Sequence, residues 1–357
     1  MRTGAARDAA IYTPIRAPQT FTEGVNMPGN VSDPMLFALE GSREFGGRVA
    51  EHMVLPLAEH EERGFEDGEH KARPLESVRE RDVYVLHALH SDPERSVNDR
   101  LCRLLFFLAC VRDSGARRVT AVLPYLGYAR KDRRTQPRDP VTMRYLAQLI
   151  EAMGADRVMA LEVHNPAAYD NAFRCPREHL EMRSLFALHL APELQPETRV
   201  VVCSPDVGGV KRAVRFRERL ANQLGREVGD AFFEKARAGG KLTLGRLIGD
   251  VSDATVVLVD DLIATGSTLL HAARTCRETG ARRVLAVAAH GAFTRGAQDN
   301  LASDAFERVL VTDTILPPKI DHEALGQRLE IVSAAPLFAQ AITRLHAGGS
   351  LTDLQED

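Results

Sequence analysis

The chain reads as an α/β protein made of two tandem copies of one unit, each a mostly parallel sheet flanked by helices. Three observations lead there. Short runs rich in β-branched residues alternate with longer helical patterns along most of the chain, which is the pattern of parallel strands joined by helical crossovers. The whole alternation occurs twice. Finally, LLFFLACVRDSGARRVTAV (104–122) in the first half aligns with LLHAARTCRETGARRVLAV (269–287) in the second, both reading as a helix, a glycine cap and a strand entry.

The elements follow in order. Residues 1–33 are rich in Thr, Pro, Gly and Asn without helical or strand period, so they are read as a flexible extension outside the fold. Regular structure is expected from about Leu36. The first copy then gives DVYVLHA, a helix over 97–114, RRVTAVLPY, a helix over 141–153 and DRVMALEV. After a helical stretch near 183–190, the second gives RVVVCS, a helix over 210–224, TVVLVDD, a helix over 267–279, RRVLAVAAH and RVLVTD. The division is placed between an N-terminal unit, 34–180, and a C-terminal unit with its tail, 181–357.

Composition narrows the function. With 357 residues and 44% hydrophobic content the chain can bury two cores. Its 46 basic and 49 acidic residues leave a net charge of −3, which argues against a nucleic-acid partner held by an overall positive field and points to a small one. The five cysteines are scattered, odd in number and never spaced as CxxC, so neither a disulfide framework nor a cysteine zinc site is indicated and a cytoplasmic setting fits. The longest apolar run, near 104–111, is far short of a membrane span, and the N-terminus lacks the apolar core of a signal peptide.

One string concentrates the chemistry. VVLVDDLIATGST (256–268) sets an apolar strand directly against Asp260 and Asp261 and then turns through Thr265, Gly266, Ser267 and Thr268 into a helix. A parallel strand ending there puts both acids at the carboxyl edge of a sheet, where open α/β folds bind ligands. The amides and hydroxyls of the turn make a socket for a phosphate dianion. Two acids and a phosphate become compatible when the ligand turns hydroxyls or a divalent cation toward the acids, and a sugar phosphate does this. The first copy carries HALHSDPERSVND at the equivalent place, so the copies have diverged in task. His87 and His90 in that segment lack a third ligand, and the segment is read as a surface loop. Neither GxxxxGK[ST] nor GxGxxG occurs, which leaves little room for a classical kinase or dehydrogenase.

The string VVLVDDLIATGST resembles the phosphoribosyl diphosphate loop of type I phosphoribosyltransferases and of ribose-phosphate pyrophosphokinases (PRPP synthetases). FEDGE (65–69), ESVRERDVYVL (76–86), YLGYARKDRR (125–134), SPDVGGVKRA (204–213), LIGDV (247–251), AHGAF (289–293) and LVTDTI (310–315) resemble the second family, in its order, over about 36–354. The resemblance implies two type I phosphoribosyltransferase-like domains and Mg2+-dependent transfer of the β,γ-pyrophosphoryl group of ATP to ribose 5-phosphate. It implies that Asp260, Asp261, Thr265, Gly266, Ser267 and Thr268 bind the sugar phosphate, and that Lys235 and Arg237 are catalytic. Arg130 and His164 are implied to meet the ATP phosphates, with His164 and Asp206 linked to the metal. Phe65, Asp67 and Glu69 are implied to hold the adenine from a neighbouring subunit of a dimer-built hexamer, and Ser77 and Arg79 match regulatory positions.

Several positions depart from the family pattern: Ala264 where an Asp is common, Ser267 for Gly, Glu162 for Asp, Lys131 for Gln, and a changed, slightly longer segment after His164. They leave two alternatives, a non-catalytic synthetase-associated regulatory subunit and a pyrophosphokinase for another ribosyl phosphate such as ADP-ribose. A regulatory subunit would lack the catalytic cations or the sugar loop, and neither is missing here.

Overall fold

The computed structural model describes residues 12–13, 33–238, 241–316, 320–352 and 354, with only the backbone given for 12–13, 235–238, 241–244 and 322. The chain runs β1 (Tyr12–Thr13), β2 (Met35–Ala38), α1 (Arg43–His52), β3 (His60–Gly64), β4 (His70–Pro74), β5 (Asp82–Leu86), α2 (Val97–Asp113), β6 (Arg118–Leu123), α3 (Thr142–Ala152), β7 (Arg157–Leu161), α4 (Pro166–Ala172) and β8 (Arg177–Leu180). It continues through α5 (Arg183–Leu194), β9 (Val200–Ser204), α6 (Val210–Leu224), β10 (Gly229–Ala238), β11 (Lys241–Ile248), β12 (Thr255–Ile263) and α7 (Ser267–Glu278). The last elements are β13 (Arg283–Gly291), α8 (Ala297–Leu301), β14 (Arg308–Thr312), α9 (His322–Leu325), β15 (Leu329–Val332) and α10 (Ala335–His346).

Two main sheets result. The first has the order β2-β5-β6-β7-β8 and the second β1-β15-β14-β13-β12-β9-β10-β11. Every pairing in them is parallel except β10 with β11. Hairpin β3–β4 stands apart as a two-stranded sheet. Most of residues 1–33 lie outside the described residues, but Tyr12 and Thr13 pair with Ile331 and Val332 at the sheet edge, which an extension wholly outside the fold does not include.

Strand alternation builds the layers. In the first sheet Val83 and Val85 point to a core with α2 and α3, whereas Tyr84 and Leu86 point the other way. In the second sheet Val256 and Leu258 face α7, and Val257 and Val259 face the same core as Tyr84. That central core also takes in Phe45 of α1, Phe186 of α5, Phe216 of α6 and Phe338 of α10. Phe45 and Phe338 meet edge to face at 5.5 Å. One face of each sheet is therefore buried in a common interior, filled by these four helices.

The repeat seen in the sequence is also in the fold. α2 ends before Gly115 (φ +89) and leads into β6, as α7 ends before Gly280 (φ +102) and leads into β13. In each copy the strand before the helix pairs in parallel with the strand after it.

Polar ties cross the common core. His290 Nε2 donates to the Leu161 carbonyl at 3.1 Å, and its Nδ1 meets Thr314 Oγ1 at 2.8 Å. Arg48 of α1 donates to the buried Asp313 at 3.2 Å. Asp82 on β5 accepts from Arg118 Nε at 2.7 Å and from His346 Nδ1 of α10 at 2.7 Å. Burial alone would raise the Asp82 carboxyl, but the hydrogen bonds from Arg118 and His346 hold it below the usual range. Asp82→Asn is expected to lower stability at neutral pH by about 2 kcal/mol, measured by urea unfolding. A depressed carboxyl stabilises the fold above its unfolded pKa and loses that contribution as pH falls through its folded value. The gap between variant and wild type should therefore close in acid, and a gap that persists at pH 3 would remove the charge from the explanation.

Candidate active site

β12 ends as its apolar alternation gives way to two acids. Asp261 continues the face of Val257 and Val259, so it points toward the first sheet and is 7% exposed. The segment just past the end of β7 meets it there: His164 Nδ1 donates to Asp261 Oδ2 at 2.8 Å. From α6 the Arg212 guanidinium approaches both acids, with Nη1 3.5 Å from Asp261 Oδ1 and 3.9 Å from Asp260 Oδ1. Its Nε donates to Glu162 Oε1 at 2.8 Å. Glu162 and His164 follow β7 of the first sheet, Asp261 is on β12 of the second and Arg212 on α6 beside it, so Glu162 pairs with Arg212 and Asp261 with His164 across the gap.

This arrangement separates the two adjacent acids. Burial and the neighbouring charge of Asp261 push the Asp260 carboxyl well above the usual range, against the pull of Arg212. Burial also opposes ionisation of Asp261, but His164 and Arg212 overcome it and hold that carboxyl below the usual range. His164 is raised in turn by its bond to Asp261, against burial.

The cleft around these groups has a volume of about 390 Å³ and is lined by Asp132, His164, Asp206, Lys211, Arg212 and Asp260, among others. Asp206 begins the tight turn before α6, with its Oδ1 accepting from the Gly209 amide at 3.0 Å. Arg130 is exposed and borders a smaller recess, of about 10 Å³, with Tyr125, His164, Asp261 and His290.

The turn after the acids has the geometry of an anion socket. Gly266 adopts φ +74, the left-handed region that a residue with a Cβ rarely enters. Leu270 N, bonded to the Gly266 carbonyl at 2.9 Å, closes the first turn of α7, and the amides before it have no helical acceptor. Thr265 Oγ1 and Ser267 Oγ are 2.9 Å apart, and Asn300 braces the loop by donating to the Thr265 carbonyl at 2.8 Å. No acidic residue lies in the first turn of α7, which suits an anion.

Other candidates lie elsewhere. Phe65, Asp67 and Glu69 occupy the exposed tip of the β3–β4 hairpin, outside the residues lining the cleft. The tip is shaped by Phe65 N to the Glu69 carbonyl at 2.8 Å and Glu69 N to Asp67 Oδ1 at 3.1 Å. Lys235 and Arg237 lie on β10, in register with Leu244 and Leu242 of β11, and their side chains fall outside the described residues. Ser77 and Arg79 are exposed ahead of β5.

The first copy corrects the surface-loop reading of its histidines. His87 is 0% and His90 4% exposed. Arg100 of α2 folds back into this turn, its guanidinium against Asp92 and 3.4 Å from the Ala88 carbonyl. Ser42 Oγ meets His87 Nδ1 at 3.2 Å, and burial pushes His87 down to about 3. Among the described residues no group of three His, Cys, Asp or Glu side chains is placed to hold a metal.

Comparison with known proteins bears on the same residues. A model of the N-terminal domain of ribose phosphate pyrophosphokinase matches residues 34–154, and one of the phosphoribosyl synthetase-associated domain matches 235–355. The ribose-phosphate pyrophosphokinase of Parasynechococcus marenigrum is 36% identical over 78% of this chain and 80% of its own. Ribose-phosphate pyrophosphokinase 1 of Streptococcus pyogenes is 34% identical over 91% of this chain and 98% of its own. The chain belongs to the ribose-phosphate pyrophosphokinase family. The crystal structure of phosphoribosylpyrophosphate synthetase from Mycobacterium smegmatis superposes with a TM-score of 0.79 at 32% identity, covering 89% of this chain and all of that one. The expected fold class, two phosphoribosyltransferase-like sheets with flanking helices, therefore holds.

Within that family frame the departures have local structures. Ser267 shares its hydroxyl with Thr265, Lys131 is taken up by Asp139 and Thr135, and Glu162 receives Arg212. Arg212 was not singled out from sequence, although it lies within the quoted SPDVGGVKRA string. Gly266→Ala is expected to cost about 1–2 kcal/mol through its left-handed backbone and to lower the thermal unfolding midpoint. A variant as stable as the wild type would mean that the socket does not depend on this conformation.

Proposed function

We propose that this protein transfers the β,γ-pyrophosphoryl group of ATP to the anomeric hydroxyl of ribose 5-phosphate, giving phosphoribosyl diphosphate and AMP. The observation that carries the reading is the 2.8 Å contact between His164 and Asp261, because it puts the group assigned to the nucleotide phosphates beside the group assigned to the sugar. In this reading 34–180 form the ATP side and 181–357 the sugar side. The socket at Thr265, Gly266, Ser267 and Thr268 takes the 5-phosphate, and Asp260 and Asp261 face the ring hydroxyls. The hydroxyl oxygen then gives up its proton to solvent and bonds to the β-phosphorus as the bond from that phosphorus to the α-phosphate oxygen breaks and AMP leaves with the electron pair.

The residues present suit Mg2+. The cleft offers the separate carboxylates of Asp206, Asp260 and Asp261, and a cation that keeps water and shares substrate phosphates needs only one or two such acids. Asp206, with His164 beside the phosphates, would hold it, and it would neutralise charge developing on the triphosphate. Arg130, Lys235 and Arg237 are the residues assigned to supply positive charge to the same group. Phe65, Asp67 and Glu69 lie away from the cleft of their own chain, which supports a reading in which they hold the adenine of a neighbouring subunit in a homo-oligomer. No helix among the described residues is long and apolar enough to cross a membrane, in keeping with a cytoplasmic enzyme.

Phosphorus NMR of the protein with Mg-ATP and ribose 5-phosphate should record AMP and phosphoribosyl diphosphate appearing together. Transfer only to ADP-ribose would replace the acceptor, and no turnover would favour a regulatory subunit. Lys235→Ala is expected to lower turnover on the order of a hundredfold to a thousandfold while ribose 5-phosphate still binds, since its charge is assigned to the transition state. Equal loss of binding and turnover would remove that assignment.

A further inference from the structure

We propose that Arg212 is a positioning residue for the acid pair Asp260–Asp261, and that Glu162 acts as a tether that keeps its guanidinium one step back from them. The inference rests on the assignment of those acids to the sugar hydroxyls. Arg212 projects from the first turn of α6, immediately after the turn that begins at Asp206. Its side chain is largely buried, at 14% exposure, so its fork is held by neighbours and not by water.

Those neighbours are unequal. Nε is hydrogen-bonded to Glu162 at 2.8 Å, and Nη2 lies 3.4 Å from the His164 carbonyl. Toward the acids, Nη1 comes only to 3.5 Å from Asp261 and 3.9 Å from Asp260. These are distances for charge attraction more than for a close hydrogen bond. A guanidinium docked on both acids through its fork would consume the oxygen lone pairs that a ligand's hydroxyls need. Held back, it still favours charge on the acids while leaving those lone pairs free. Glu162 is itself firmly fixed: its other oxygen accepts from the Met182 amide at 3.0 Å, and its backbone sits at φ +41. A left-handed backbone at a residue with a long side chain persists where the surroundings impose it.

The Glu162 carboxylate is the group that reaches both α6 and the start of α5. Released from Glu162, Arg212 would move onto Asp260 and Asp261 and compete with the sugar. Removed altogether, it would leave Asp261 with His164 as its remaining basic partner and take the guanidinium away from Asp260. Both changes should weaken the sugar and spare the nucleotide, and the first should act only through the second residue.

The test is calorimetric titration of the full-length protein with ribose 5-phosphate, and separately with ATP, for the wild type, Glu162→Gln, Arg212→Gln and the double variant. Arg212→Gln should weaken ribose 5-phosphate binding on the order of tenfold, through the lost attraction of its charge for the two acids, with ATP affinity little changed. Glu162→Gln should weaken it several-fold, and the double variant should match Arg212→Gln alone. Additive effects, equal loss of ATP affinity, or unchanged sugar affinity would overturn the proposal. If Arg212→Gln does not fold, Arg212→Lys, which keeps the charge and loses the fork, should still weaken the sugar selectively; unchanged affinity there would also overturn it. Failure of the wild type to bind ribose 5-phosphate at all would instead strike the functional reading beneath, and the proposal with it.

Discussion

A carboxylate as enclosed as Asp261 can keep its charge only if that charge is paired, and neither of its basic partners lies on its own strand. His164 follows β7 in the other sheet, and Arg212 is on α6 and anchored by Glu162 at the end of β7. The ionised acid therefore depends on the two sheets keeping their mutual position to within a fraction of an ångström. The common core meets that requirement. With Phe45, Phe186, Phe216 and Phe338 in one interior between the sheets, a shift of one sheet against the other would open cavities in close-packed apolar structure. The buried His290, Arg48 and Asp82 ties resist the same shift by threatening to leave polar groups unpaired.

That coupling of the sheets was not legible in the sequence, although most of their elements were. The helices 97–114, 210–224 and 267–279 lie within a residue or so of α2, α6 and α7, because their apolar spacing and glycine caps are local properties. Which face of a parallel strand meets which helix is not local, since both faces are buried and the run is apolar throughout. The hairpin β3–β4 carried no strand signal either. HEERG and HKARP have no apolar alternation, and the pair is laced by charge instead, with Arg73 at 2.6 Å and Lys71 at 3.8 Å from Glu61 across the strands.

Legibility of the site followed the same division. Asp260, Asp261 and the Thr-Gly-Ser-Thr turn could be placed at a sheet edge because a strand, two acids and a helix start are contiguous in sequence. His164 and Asp206 were found through family strings, and the structure sets both along the cleft. Arg212 lay inside one of those strings without being singled out, because one arginine in an amphipathic helix looks like a solvated charge until the strand ends facing it are known. His87 and His90 failed for the converse reason. Polar residues between a strand and a helix look like a surface loop, but Arg100, in the first turn of α2 and ten residues after His90, turns inward against the segment.

Arg100 also bears on why two copies of one unit differ in task. Each copy presents a strand, a turn and a helix at its carboxyl edge. In the second, the turn passes through a left-handed glycine and exposes the hydroxyls of Thr265 and Ser267, and the Ser267 amide reaches only the Thr265 hydroxyl, at 3.3 Å. In the first, the capping box of Ser96 and Asp99 satisfies the start of α2, and the guanidinium of Arg100 lies against Ala88 and Asp92. A helix start capped by its own side chains, with an acid in the first turn, has fewer donors to spare and opposes an anion. The same local geometry is thus left open in one copy and closed in the other by a handful of side chains, and the first copy contributes from a different strand end, through His164 after β7. The site takes one edge element from each copy, and what each contributes is decided by whether its turn is filled from within.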